Sequence, residues 1–107
     1  MSNTHNIIKE LITFYIKSNY DEYLKQNNID KMPTDSIESI VEKLFDDKKE
    51  HMKTFIKNSL KELSQQNNTK FPNDFIINNL LFDILSDRKL CIYKITKEIK
   101  LYQEYKN

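Results

Sequence analysis

An all-α fold is predicted by three observations: apolar residues recur at three- and four-residue spacing through most of the chain, no segment alternates apolar and polar residues as a strand does, and helix-boundary signals punctuate the sequence at Asn27-Asn28, Pro33, Pro72 and Ser86-Asp87. Together they predict a compact bundle of four long helices plus one short helix. The chain of 107 residues is read as one domain, 1–107, because a split would leave pieces too small to bury a core.

From Asn6 to Ser18, Ile7, Ile8, Leu11, Ile12, Phe14 and Tyr15 share an arc of about 200°, opposite Lys9, Glu10, Thr13 and Lys17. Asn19 with Glu22 three residues on resembles a helix start, so a short second helix carrying Tyr20, Tyr23 and Leu24 is expected. Asn27-Asn28 can close it in the left-handed conformation, with Ile29 folding back. After Pro33, Asp35 with Glu38 predicts a capping box and a long third helix from Asp35 to Gln65. Straight, that helix would be about 46 Å long, more than the roughly 30 Å of a small domain, so a bend near Asp47 or a projecting arm is expected.

Gln65 to Thr69 reads as a polar connection, and Pro72 as the approach to a helix whose apolar residues from Phe75 to Leu85 surround most of its circumference. That pattern predicts a buried central helix. Ser86-Asp87 predicts the cap of a last helix, packed through a seam of Ile92, Ile95, Ile99 and Tyr102.

Composition narrows function by exclusion. The 17 basic and 16 acidic residues nearly balance, so no global field draws nucleic acid or anionic lipid. Glycine is absent, which removes phosphate-cradling loops, dinucleotide fingerprints and the serine nucleophile elbow, all of which turn the backbone where a Cβ would obstruct it. Cys91 is the only cysteine, so neither an internal disulfide nor a Cys-based zinc site is expected, and a reducing, intracellular setting fits: cytoplasm or nucleus, or host cell or virion for a viral chain. No basic-then-apolar leader opens the sequence and no apolar run suits a membrane span, so no membrane partner is expected. Abundant Lys, Asn and Ile beside a single arginine, Arg88, read as the codon bias of an AT-rich genome. Asn67-Asn68-Thr69 matches a glycosylation sequon, without consequence in the absence of secretion.

No catalytic residue, cofactor site or metal site is assigned. Cys91 with His51 would be the pair to form a thiolate and imidazole, but Cys91 beside Ile92 reads better as a small buried hydrophobe, and His5 and His51 lack any ligand pattern. Asp46, Asp47 and Glu50 lack the glycine turn of a calcium loop and read as a solvated face, as does Asp83. Two features carry positive hypotheses. Lys49, Lys53, Lys57 and Lys61, at four-residue steps, form a stripe that would hold phosphates, with Lys94, Lys97, Lys100 and Tyr93 as a second basic face for nucleic acid. The surplus apolar faces suggest instead a non-enzymatic protein that binds protein, itself included as a homo-oligomer, through Ile8, Ile12, Phe14, Leu90 and Leu101. This second reading leads, with nucleic-acid association as the alternative.

Overall fold

The computed structural model describes residues 2–68 and 70–105; the sequon residue Thr69 lies outside them. Among the described residues there are five helices and no strand: α1 (Ser2–Gln26), α2 (Thr34–Asp47), α3 (Lys49–Asn67), α4 (Asp74–Ser86) and α5 (Arg88–Tyr105). The all-α bundle expected from periodicity is the architecture found.

Helix α1 is the central element. Ile8, Ile12, Ile16 and Tyr20, at four-residue steps, are all buried, and α1 touches each of the other four helices. Its 25 residues, about 37 Å at 1.5 Å each, run most of the 41 Å long dimension of the molecule. The short second helix expected after Asn19 is absent, since α1 continues unbroken. The Asn19 side-chain amide donates to the Tyr15 carbonyl at 2.8 Å, one turn back, instead of accepting from a new first turn. The burial of Tyr20 then holds the continuation in place.

The helix ends where Asn27-Asn28 predicts. Asn28 takes φ 55°, its N–H donates to the Lys25 carbonyl at 3.2 Å, and the Ile29 N–H donates to the Leu24 carbonyl at 2.9 Å. This is the complete Schellman pattern, with asparagine standing where glycine is usual. Ile29 packs on the core as that motif requires.

Helix α2 starts one residue earlier than the expected cap. Pro33 occupies the N-cap position with no side-chain cap bond, which leaves Asp35 in the first turn, where its charge favours the helix dipole without capping. The long third helix does not exist as one rod. It breaks at Lys48 (φ −103°, ψ 8°) into α2 and α3, at the place where a bend was expected. The break keeps both pieces within the body of the molecule: α2 packs on α1 and α5, α3 on α1 and α4. Ile37, Val41, Leu44 and Phe45 of α2 and Met52, Ile56 and Leu60 of α3 are buried. Asn68, with φ 52°, closes α3 as Asn28 closes α1.

Asn73 caps α4 by accepting from the Ile76 N–H at 3.1 Å. Ile77, Leu81, Ile84 and Leu85 fill its inner side. Contrary to the sequence expectation, α4 is peripheral: Phe75, Ile76 and Phe82 face outward. Asp87 alone separates α4 from α5 and caps the latter, accepting from the Leu90 N–H at 3.3 Å. Ile92, Ile95, Thr96 and Ile99 form the buried seam of α5, and Tyr102 turns out of it. Arg88 ties the start of α5 to the end of α2, donating twice to the Asp46 carboxylate at 2.7 and 2.9 Å and once to Glu42 at 3.0 Å. Gln103 closes the other end, donating to the Met32 carbonyl at 3.0 Å.

Candidate functional site

Helical geometry places Phe75 and Phe82, seven residues apart, on one side of α4, and places Ile77 and Ile84, also seven apart, on the opposite, buried side. The two phenylalanines are 74% and 72% exposed. Asn78, Asn79 and Ser86 lie between and beyond them on the same outer side, all exposed. This face therefore carries two large rings separated by amides and has no charged group at its centre. Ile76 flanks it, also exposed.

Sequence reasoning missed this face because α4 is apolar nearly all round, a pattern that normally marks a helix buried on every side. Its signal was nevertheless present: a 13-residue helix at the edge of a small bundle needs only one filled side, and Ile77, Leu81, Ile84 and Leu85 already supply it. The interface residues expected from sequence divide. Ile8 and Ile12 are core residues, at 0% and 2% exposure, because α1 is central and its apolar arc is covered by all its neighbours. They cannot meet a partner. Phe14, Leu90 and Leu101 are exposed. Phe14 is engaged within the chain, its ring stacked on Phe55 of α3 with centroids 6.1 Å apart.

A half-open cavity of about 220 Å³ lies between α1, α4 and α5, walled by Ile12, Ile84, Leu90 and Ile95, with Lys9, Lys94, Asp83 and Asp87 among its polar lining. Cys91 and His5 line this same cavity, whereas His51 is an exposed residue of α3. The histidine that shares a wall with the thiol is thus the one 86 positions away, a proximity no local pattern announces. Cys91 is half-buried and its thiol donates to the Ile84 carbonyl at 3.3 Å. Burial pushes the thiol up from its ordinary value and Asp87 adds to the rise, while Lys94 and Lys9 act in the opposite sense. The sulfur is held as a protonated donor, the opposite of what an activated nucleophile needs.

The lysine stripe is present on α3, but it does not lie wholly away from the core. Each four-residue step advances about 40° round the helix, so the row that ends at exposed Lys61 begins close to the buried side, and Lys49, Lys53 and Lys57 are half-buried. Lys53 is further occupied by Glu50 at 3.2 Å. On α5, Lys94, Lys97 and Tyr93 are exposed and Lys100 is half-buried. The acidic residues Asp46, Asp47 and Glu50 do not converge: Asp46 is in the Arg88 fork, Glu50 is on Lys53, and Asp47 is exposed. Among the described residues no three His, Cys, Asp or Glu side chains gather as a metal site would require. No described helix is long and apolar enough to cross a membrane.

A second cavity, of about 230 Å³, opens between Phe14, Tyr20, Leu24, Ile99 and Tyr102. Tyr20 is buried there, and its hydroxyl has no hydrogen-bond partner among the described residues; the Thr96 hydroxyl is in the same position. Burial, and secondarily Asp21, raise the Tyr20 hydroxyl above its usual value, so it stays protonated.

Set beside family models, curated proteins and solved structures, the chain finds no significant match in any of the three, so its candidate site rests on its own residues and geometry.

Proposed function

We propose that this chain is a non-enzymatic helical module that acts by binding another polypeptide, through the outer face of α4. The observation that carries this reading is the exposure of Phe75 and Phe82 on a helix whose opposite side is already packed. At about 200 Å² per phenylalanine side chain, the two rings together offer about 300 Å² of uncovered apolar surface. With Ile76 beside them, the patch reaches the size at which the largest apolar patches of monomers are commonly functional. Aromatic anchors are also the side chains that dominate protein interfaces.

Two further features favour binding over catalysis. The chain has no glycine-dependent ligand loop, and its one thiol is kept protonated by burial. The lysine stripe supports nucleic-acid association less well, because three of its four members lie partly against the protein and one is occupied by Glu50.

The test is site-specific photo-crosslinking in the cells that make the protein, with the reactive side chain placed at Phe75 or Phe82 and, as control, at exposed Glu38 on α2. Adducts of defined protein mass from the α4 positions and none from Glu38 are the expected result. Absence of adducts from α4, or equal adducts from both helices, would contradict the proposal.

A further inference from the structure

Two signs of charge line the half-open cavity between α1, α4 and α5, and they lie on different sides of it. Lys9 of α1 and Lys94 of α5 also border a more open hollow along the α1–α5 seam, whereas Asp83 of α4 and Asp87, which joins α4 to α5, do not. The basic side therefore faces the seam and the acidic side faces α4. None of the four groups is held in an ion pair by a described residue, so each side keeps its charge for a ligand. Beyond burial, Asp87, Lys94 and Lys9 all act on the Cys91 thiol, which sets the sulfur between the two signs.

The floor calls for no polar partner. Ile12, Ile84 and Ile95 are buried beneath it, the Thr13 hydroxyl donates to the Lys9 carbonyl at 3.2 Å, and the Cys91 thiol donates to the Ile84 carbonyl at 3.3 Å. With both polar hydrogens committed to backbone, the floor favours hydrocarbon, since a polar ligand group set there would lose water and gain no partner.

We infer that this cavity binds a short apolar zwitterion of dipeptide length, its ammonium on the Asp83 and Asp87 side, its carboxylate on the Lys9 and Lys94 side and its side chain on the isoleucine floor. The site goes beyond the protein-binding face of α4 and does not rest on it.

Charge and size select this class together. An ion of one sign is attracted by one side of the cavity and repelled by the other, so only a molecule carrying both signs gains from both sides. A sphere of about 220 Å³ is about 7.5 Å across. One residue spans about 3.5 Å and two span about 7 Å, so the termini of a dipeptide reach both sides and those of a single amino acid do not. The volume exceeds the roughly 150 Å³ that holds one benzene ring and falls short of the roughly 300 Å³ at which drug-sized sites begin, so one branched side chain fills it.

Titrating the isotope-labelled full chain with alanyl-leucine to about 20 mM, followed in amide NMR spectra, tests this. Saturable shifts centred on Thr13, Leu90, Cys91 and Ile95, with a millimolar dissociation constant, are the expected result. Acetylating the ammonium or amidating the carboxylate should each weaken binding about threefold, the effect of a solvent-exposed ion pair, and leucine alone should bind no better than either blocked form. Lys9→Gln with Lys94→Gln should weaken alanyl-leucine to the level of its amide and leave the amide unchanged. Asp83→Asn with Asp87→Asn should do the same for the acetylated form, because asparagine preserves the cap that Asp87 gives α5. All four side chains are exposed or half-buried, so far-UV circular dichroism should be retained. No saturation by about 20 mM, equal affinity for the dipeptide, leucine and both blocked forms, or a double variant that weakens the zwitterion and its blocked form alike would each overturn the inference. The readout is binding by the purified chain, so its failure is distinct from a failure of cross-linking at Phe75 and Phe82.

Discussion

Leu81 and Phe82 are adjacent in α4, and transfer from water favours burying the larger ring, yet alanine substitution should cost far more at the leucine. Leu81 is 1% exposed, facing the core beside Ile77 and Leu85, so Leu81→Ala removes a packed side chain and leaves a cavity, a loss of between about 2 and 5 kcal/mol. Phe82 is 72% exposed, so only about 55 Å² of a side chain of about 200 Å² is covered, and at about 25 cal/mol per Å² its truncation costs at most about 1.4 kcal/mol. Even that is an upper value, since the unfolded chain covers part of the ring as well. Urea unfolding followed by far-UV circular dichroism at a few micromolar measures both. Equal losses, or a larger loss for Phe82→Ala, would mean that the outer face of α4 is packed inside the monomer and would refute the reasoning for a docking surface there.

Three other substitutions probe the interior and the helix ties. Tyr20→Phe removes a buried hydroxyl that makes no hydrogen bond, so thermal melting should show unchanged or slightly raised stability, not the loss of about 1 kcal/mol typical of a satisfied hydroxyl. Arg88→Ala should lower the melting temperature less than Leu81→Ala, because the fork to Asp46 and Glu42 is partly exposed. The Arg88 hydrogen bond holds the Asp46 carboxyl below its usual range in the folded state. Its stabilisation is therefore complete above about pH 5 and lost as pH falls through the lowered folded value, so acid titration should narrow the gap between the native protein and Arg88→Ala. Cys91→Ser should cost under about 1 kcal/mol, since the new hydroxyl inherits the Ile84 carbonyl as acceptor, and alkylation of native Cys91 should be slow at pH 7 and accelerate above about pH 9.

The helices were legible wherever one residue type had one local role. Asn28 and Asp87 act as their positions predict, because a left-handed cap and an N-cap are decided within a turn of chain. Asn19 shows where local reading fails: the same side chain can cap a new helix or bond back to Tyr15, and the choice is made by the burial of Tyr20 against distant segments. The break at Lys48 was visible only as a length that did not fit, since nothing in Asp46 to His51 forbids a continuous helix. Of the candidate site, the sequence displayed Phe75 and Phe82 but not their exposure. Whether a helix apolar all round is central depends on how many neighbours cover it, and α1, with a more ordinary amphipathic pattern, took the central place.

Hydroxyl-radical footprinting of phenylalanine side chains reads the α4 face directly. In dilute purified protein Phe75 and Phe82 should be oxidised readily and Phe45, buried on α2, hardly at all. In the cells that make the protein, the proposed function predicts that Phe75 and Phe82 become protected together while exposed Tyr93 on α5 keeps its reactivity. Equal oxidation of Phe75 and Phe82 in both settings would contradict it.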